Sequence, residues 1–263
     1  MRRLCGVVIA LNEEAHITEC LMSLAFCDGR LVMDAFSTDE TVTRARAAGA
    51  EVVQREFDHF AGQRNAALDA VRDQYEWVLF LDADERIPPA LADEILQALN
   101  DTTNAGFRIP RHNYLFGRLT RGAGWFPDYQ TRLLRVNAAH YDPERKVHEV
   151  VVLNGELGTL KTPLVHYNYV DTAHFHRKQR SYTRYEAQIL YEAGVRPKPH
   201  NYLLQPLRQF RWRFWTLKGY QDGLHGLHLS LLMAWYEWRK YVLLGQMWRR
   251  RGAAASAPPD KPV

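Results

Sequence analysis

The sequence predicts an α/β fold, a mostly parallel sheet flanked by helices and followed by a C-terminal helical extension. Three observations predict it. Short apolar runs alternate with helical patterns through the first hundred residues, glycines and capping residues punctuate them, and beyond about residue 171 helical spacing alone remains. A chain of 263 residues with 46% hydrophobic content is long enough for one large domain or for a core domain with an appendage.

Each element has a local cause. The run "LCGVVIAL" (4–11) is continuously apolar, as a strand covered on both faces must be, and Asn12 suits the start of a segment in which Ile17, Cys20, Leu21 and Leu24 recur at helical spacing. "RLVMDAF" reads as a second strand, "STDETVTRARAAG" as a helix with Ser37 or Thr38 at its start and Gly49 at its end, and "AEVVQRE" as a third strand. "AGQRNAALDAVRD" supplies another helix and "WVLFL" a fourth strand. Strands joined by helices of this length imply right-handed crossovers, and ligands then bind at the carboxyl ends of the strands.

"PPALADEILQALN" places Leu91, Ile95 and Leu99 on one helical stripe. Residues 106–135 mix short strand-like pieces with Gly, Pro and aromatics, and are expected to complete the sheet and form the acceptor side of a cleft. "HFHRKQRSYTRYEAQILYEAG" reads as a helix ending at Gly194; a Pro-containing connector follows. The segment "LHLSLLMAWYEWRKYVLLGQMW", interrupted by Glu237, Arg239 and Lys240, suits a helix that packs on the domain, dimerises or lies in a membrane interface. The expected division is a catalytic domain over 1–170, with halves of about 1–105 and 106–170, a helical extension over 171–250 and a disordered tail over 251–263.

Lys and Arg outnumber Asp and Glu by only 34 to 30, but Arg clusters late, in "LRQFRWRFW" and "WRRRG", which points to a local anionic partner rather than general polyanion binding. No nucleic-acid-binding motif accompanies these clusters, so no nucleic acid partner is expected. The three cysteines, Cys5, Cys20 and Cys27, form no CxxC and suit small hydrophobic positions in a reducing compartment. The opening apolar stretch is too short for a signal peptide and reads as a first strand of a cytoplasmic protein. No stretch reaches the roughly 18 apolar residues of a membrane span.

The stretch "FLDADER" (80–86) ends an apolar strand in Asp82, Asp84 and Glu85. One reading makes Asp84 and Glu85 caps for a helix starting near Pro88 or Pro89. The other follows from position: two carboxylates at the carboxyl end of a central strand present oxygen ligands to Mg2+ or Mn2+, which bridges nucleotide phosphates. Neither a P-loop nor a G-x-G-x-x-G is present, so a nucleotide here is held by carboxylates and metal rather than by a glycine cradle.

The segments "VVIALNEEAHITECLMSL", "MDAFSTDETVTRARAAGA", "GQRNAAL" and "WVLFLDADE" together resemble the family 2 glycosyltransferases of GT-A (Rossmann-like) fold. "GWFPDYQTRLLR", "KVHEVV", "PLVHYNY", "YTRYEAQIL" and "GYQDGLHGLHLS" are similar to the subgroup that includes lipopolysaccharide core β-glucosyltransferases, and the resemblance covers roughly 3–247. It implies a metal-dependent inverting transferase moving a hexose, glucose from UDP-glucose, to a lipopolysaccharide inner-core sugar, in the cytoplasm or on the cytoplasmic face of the inner membrane. It also implies roles. Asp34 would meet the base or ribose, with Ala10, Asn12 and Glu13 lining the same pocket, and Arg64 and Asn65 would contact the nucleotide sugar. Asp82 would face ribose or metal and Asp84 would be the principal metal ligand, while His166, in "PLVHYNY", reads either as completing the metal shell or binding phosphate, or as a packed, hydrogen-bonded core residue.

Inverting transfer needs a base for the acceptor hydroxyl. Asp128, just ahead of a Q-x-R-L segment, is the first candidate and Glu149, with His148 beside it, the second; the commoner Glu-Asp pair of the family is absent. Gln130 and Arg132 suit diphosphate or acceptor binding. Two alternatives stay open: a same-fold transferase acting on a polyprenyl lipid or a capsule or exopolysaccharide precursor, and a non-catalytic nucleotide-sugar-binding or membrane-scaffolding protein.

Overall fold

The computed structural model describes residues 2–100, 102–143 and 150–255. The alternation read from the sequence is present: β1 (Arg2–Ala10), α1 (Ile17–Ser23), β2 (Gly29–Asp34), α2 (Thr41–Ala47), β3 (Glu51–Gln54), α3 (Phe60–Val71) and β4 (Tyr75–Asp82), then the two-residue β5 (Glu85–Arg86) and α4 (Pro89–Ala98). There follow β6 (Gly106–Leu115), β7 (Arg118–Thr120), β8 (Tyr129–Arg135), β9 (Ala139–Tyr141), β10 (Val151–Leu153), β11 (Leu157–Thr159) and β12 (Leu164–Tyr169). Three helices close the chain: α5 (Thr172–Glu192), α6 (Asn201–Arg211) and α7 (Gly223–Ala255).

Two compact units result, one of residues 1–113 and 127–168, the other of 114–126 and 169–263. Residues 114–126, expected with the sheet half, therefore group with the helices.

In the first unit the strands lie in the order β3-β2-β1-β4-β8-β6-β12-β5. The β3-β2-β1-β4 half is parallel, whereas β8 joins β4 and β6 antiparallel, and β12 joins β5 antiparallel. Central strand β1 serves both faces of the sheet. Leu4, Val8 and Ala10 pack in one cluster with Ile17, Leu21, Leu91 and Ile95, so α1 and α4 cover that face; Cys5 and Val7 pack with Leu68, Val71 and Phe80 in the other, beneath α3. Covering on both faces is why the parallel strands carry unbroken apolar runs.

The register delivers polar residues to one edge. Ile9 pairs with Asp82 across β1 and β4, and Ala10 with Asp34 across β1 and β2. The carboxyl ends of three adjacent strands therefore meet where the sequence expected a ligand. The cysteines are all free, and burial pushes the Cys20 and Cys27 thiols far up, which suits packing and not nucleophilic chemistry.

In the second unit, Leu115, Tyr169, Phe175, Leu229 and Tyr236 form the core. Asp222 accepts from the Arg121 and Gly122 backbone amides, and the His225 ring meets the Thr120 hydroxyl at 3.1 Å. Gly122 is needed here, because a Cβ would stand 2.3 Å from the Lys218 carbonyl oxygen. The connector expected after Gly194 turns out to hold α6, whose interior Pro206 hides the helix from a sequence reading. α7 also runs past the expected start of a disordered tail, through Arg251 to Ala255; the remainder of that tail lies outside the described residues. Among the described residues no helix is long and apolar enough to cross a membrane.

Candidate active site

The site builds from two loops and one ion-pair lattice, all in the first unit. After β1 the chain turns at Asn12, a non-glycine residue at φ 56°. That turn is stitched to the loop after β2. The Asn12 amide donates to Ser37 Oγ, Asn12 Oδ1 accepts from the Thr38 amide, and the Glu13 amide donates to Thr41 Oγ1. Asp34, fully buried, accepts from the Ser37 amide and hydroxyl and from Gln54 Nε2. Its carboxylate holds the loop in shape and does not lie open to the base or ribose it was expected to meet. Ala10 is likewise buried, with its carbonyl accepting from the Ala35 amide. Asp39, just before α2, accepts from the Thr41 amide and hydroxyl and from the Glu14 amide.

At the end of β4 the bland reading of Asp84 and Glu85 fails. The cap of α4 is Pro88, with no side-chain hydrogen bond. Glu85 instead is fully buried in β5. It accepts from the Asp82 amide at 3.0 Å, from Arg132 Nη2 at 2.7 Å and from Arg111 Nη1 at 3.3 Å. Asp82 accepts from Arg132 through both oxygens and from Arg64 Nη2 at 3.5 Å. Burial pushes the Asp82 carboxyl up, but Arg132, Arg64 and Arg111 outweigh it and hold the group well below the usual carboxylate range. Arg132, expected to bind phosphate or acceptor, is thus committed to two carboxylates, and their charges override the cost of burial to keep it cationic.

The antiparallel pairing of β5 with β12 sets His166 opposite Glu85 and carries Asp84 to the ring, with Asp84 Oδ2 3.5 Å from His166 Nε2. The other ring nitrogen, Nδ1, lies 2.6 Å from Asn113 Oδ1. Asn113 Nδ2 donates to Asp128 Oδ2 at 3.1 Å, so its amide orientation is fixed and Oδ1 can only accept. His166 Nδ1 therefore carries the proton, and in the neutral ring the Nε2 lone pair faces the Asp84 carboxylate. With a second proton on Nε2 the two groups form an ion pair; with Nε2 bare, both could turn to a shared cation while Asn113 braces the far nitrogen. With both Asp82 oxygens on guanidinium groups, Asp84 and His166 are the predicted ligands that the structure brings together. Among the described residues no group of three His, Cys, Asp or Glu side chains could hold a metal alone, so substrate oxygens would have to finish the shell.

Asp128 accepts from Arg111 Nε and Nη2 and from Asn113 on Oδ2, and from Gln130 Nε2 at 3.0 Å on Oδ1. Burial pushes it up, yet Arg111 and these donors outweigh that and hold it below the ordinary carboxylate range. It is ionised at neutral pH, and the same donors make it a weaker base than an ordinary carboxylate. Asn65 departs from expectation: its amide donates to the Tyr141 carbonyl and its Oδ1 accepts from the Tyr141 amide, both at 2.8 Å, so it ties α3 to β9. Arg64, Gln130 and Arg132 do share a cavity of about 410 Å3, closed by Tyr129, Tyr141 and Val151. Glu149 and His148 lie outside the described residues.

Sequence reasoning missed Arg111 and Asn113 and misread Glu85. The three residues link both halves of the site into one chain of contacts, Arg64–Asp82–Arg132–Glu85–Arg111–Asp128–Asn113–His166–Asp84. The one available signal was an arginine and an asparagine two apart on a strand, at 111 and 113, a spacing that puts both on one face.

Comparison with known proteins places the chain in a family. The family model described as Glycosyl transferase family 2 matches residues 6–143. The chain is 29% identical over 261 residues to the lipopolysaccharide core biosynthesis glycosyltransferase LpsC of Rhizobium meliloti (strain 1021), covering 91% of this chain and 93% of that one. It is 24% identical over 260 residues to an uncharacterized glycosyltransferase of Rickettsia bellii (strain RML369-C), with 94% and 87% covered. Among solved structures, S. aureus TarS 1-349 is similar at 16% identity and a TM-score of 0.47, over 95% of this chain and 92% of that one. Glucosyl-3-phosphoglycerate synthase of Mycobacterium tuberculosis, in complex with Mn2+, UDP and glucosyl-3-phosphoglycerate, is similar at 21% identity and a TM-score of 0.47, over 75% and 82%. With more than half of its length inside the family model, the chain belongs to glycosyl transferase family 2.

Proposed function

We propose that the protein is an inverting hexosyltransferase that moves glucose from UDP-glucose to a sugar of the lipopolysaccharide inner core. The observation that carries the transferase chemistry is the meeting of Asp84 with the His166 lone pair, braced by Asn113 against Asp128. The residues fit a divalent metal. Asp84 and His166 would hold Mg2+ or Mn2+, and the bound ion would supply Lewis acidity for the charge that develops on the departing diphosphate. Asp82, clamped by Arg132 and Arg64, orders the floor beneath the donor. The acceptor class rests on the near full-length likeness to LpsC; glucose and UDP rest on the sequence resemblance to the β-glucosyltransferase subgroup.

In the proposed reaction an acceptor hydroxyl oxygen attacks the anomeric carbon as the bond from that carbon to the diphosphate oxygen breaks. The hydroxyl proton passes to Asp128. Oδ1 is the atom for it, since among the described residues it accepts from Gln130 alone. Arg64 and Gln130 line the cavity in which the diphosphate or the acceptor would lie. A lipid-anchored acceptor would bring the protein to the cytoplasmic face of the inner membrane.

The test pairs donor binding with transfer. UDP-glucose with Mn2+ should raise the melting temperature of the wild type, GDP-, ADP- and dTDP-sugars should raise it less, and the shift should vanish in Asp84→Asn. Asp128→Asn should keep the shift and lose transfer to an inner-core acceptor. No shift with any nucleotide sugar would overturn the reading; transfer that survives Asp128→Asn would favour a phosphate acceptor such as a polyprenyl phosphate, which needs no base.

A further inference from the structure

α6 is built inside out. None of its eleven residues is buried, and exposure follows a clean helical period: 203, 204, 207, 208, 211 and 212 are exposed, whereas 201, 202, 205, 206, 209 and 210 are half-buried. The exposed side holds the leucines. Leu203, Leu204 and Leu207 are 64%, 54% and 56% accessible. The inward side holds Asn201, Gln205 and Gln209 beside Tyr202, Pro206 and Phe210, and the two glutamines line a polar cavity of about 490 Å3 in the helical unit. A helix of a water-soluble domain does the reverse, since apolar surface left in water costs free energy roughly in proportion to its area. The stripe continues into the π-helical turn Trp212–Thr216, where Trp212 and Trp215 are 45% and 59% accessible.

The chemistry of the stripe selects its cover. Leucines at one end, Arg208 and Arg211 in the middle and two tryptophans at the other mix acyl-chain and headgroup residues along one line, as helices lying in a membrane interface do. Charge agrees. From 193 to 221 there is no Asp or Glu, while Arg196, Lys198, Arg208, Arg211, Arg213 and Lys218 all fall in that span. Arg213 is turned inward onto the Ala123 carbonyl, Arg211 is exposed on the stripe, and Arg208 is exposed at the edge of the polar cavity. No described helix can span a bilayer, so the contact is with its surface.

We infer that the outer face of α6, extended through Trp212 and Trp215, docks the protein onto a bilayer that carries anionic headgroups. The leucines enter the acyl boundary, and the tryptophans and arginines sit at headgroup level. The inference names the membrane-contacting surface without depending on which sugar or acceptor the transferase uses.

Flotation of the full chain with vesicles tests it without donor or acceptor, so its failure is distinct from failure of the transferase reading. The wild type should float with phosphatidylcholine vesicles containing phosphatidylglycerol and far less with phosphatidylcholine alone, and its tryptophan emission should shift to the blue. Leu203→Glu with Leu207→Glu should weaken association by about tenfold or more; Arg208→Gln with Arg211→Gln should remove most of the preference for the anionic vesicles. Unchanged thermal melting of both variants shows that they are folded. Absence of flotation, or flotation unaltered in the leucine variant, would overturn the inference. So would light scattering that shows a dimer converted to monomer by Leu203→Glu with Leu207→Glu, because the stripe would then be covered by a second copy of the chain.

Discussion

α4 and α6 are nearly equal in length, ten and eleven residues, and they treat leucine in opposite ways. α4 buries Leu91 and Ile95 against the sheet, with 0% of either exposed, whereas α6 buries nothing and shows three leucines outward. Their units also treat charge in opposite ways. The sheet unit sinks Glu85 and Arg132 into its interior and pairs them with each other; in α6, Arg208 and Arg211 stay exposed. A helical period in a sequence thus reveals a stripe but not the phase in which it will be used. The sheet covers the leucine stripe of α4, whereas α6 turns Tyr202 and Phe210 inward and, among the described residues, leaves its leucines exposed.

The largest effect expected from breaking this contrast comes from Glu85→Ala. It leaves the Arg132 guanidinium buried with half of its carboxylate partners and removes the acceptor for the Asp82 amide. Loss of one member of a buried ion pair costs about 3–5 kcal/mol, to be read from urea denaturation. A cost near zero would mean that the lattice is wet and loose rather than preorganised.

Next in size is Asn113→Ala. The side chain touches neither substrate nor metal in the proposed site, but it fixes the His166 tautomer and braces Asp128. Removing such an outer partner typically weakens metal affinity about 10–100-fold. The readout is the Mn2+ concentration needed for half of the UDP-glucose-induced melting shift. A purely structural role for Asn113 would lower the melting temperature at every Mn2+ level and leave that midpoint where it was.

Asn113 also shows where sequence reasoning stopped. The strands and helices of the first hundred residues were legible because burial on two faces writes apolar runs, and the gathering of polar residues at the carboxyl ends of β1, β2 and β4 was legible because each follows such a run. The lattice was not. Glu85 meets Arg111 and Arg132 across 26 and 47 residues, and no local pattern reports that distance. Arg132 and Asn65 look like ligand contacts for the same reason: an arginine paired with a buried carboxylate and an amide paired with the Tyr141 backbone are, in sequence, indistinguishable from residues waiting for substrate.

A smaller effect is expected from pH. The folded pKa of Asp128 is depressed, so its stabilisation is fully present above the unfolded value of about 3.9 and is lost as pH falls through the lower folded value. Asp128→Asn should therefore destabilise by about 1 kcal/mol at neutral pH, and the difference should shrink as the solution is acidified below pH 4 or so. Between pH 5 and 8 the difference should be flat; a slope there would mean that Asp128 is partly protonated and poorly paired.

The smallest expected effect, that of Leu203→Ala set against Leu91→Ala, sharpens the opening contrast most directly. Leu91→Ala in α4 should cost about 2–5 kcal/mol, because it empties a fully buried site that the sheet cannot collapse to fill. Leu203→Ala in α6 should fall within about 0.5 kcal/mol of the wild type in water, since its side chain leaves no cavity. The same residue should regain importance in the presence of vesicles: bound wild-type protein should melt higher than free protein, by mass action on the folded state, and Leu203→Ala should lose part of that gain. If instead Leu203→Ala were as costly in water as Leu91→Ala, the stripe would already be covered, and α6 would be an ordinary helix whose apolar partner is protein.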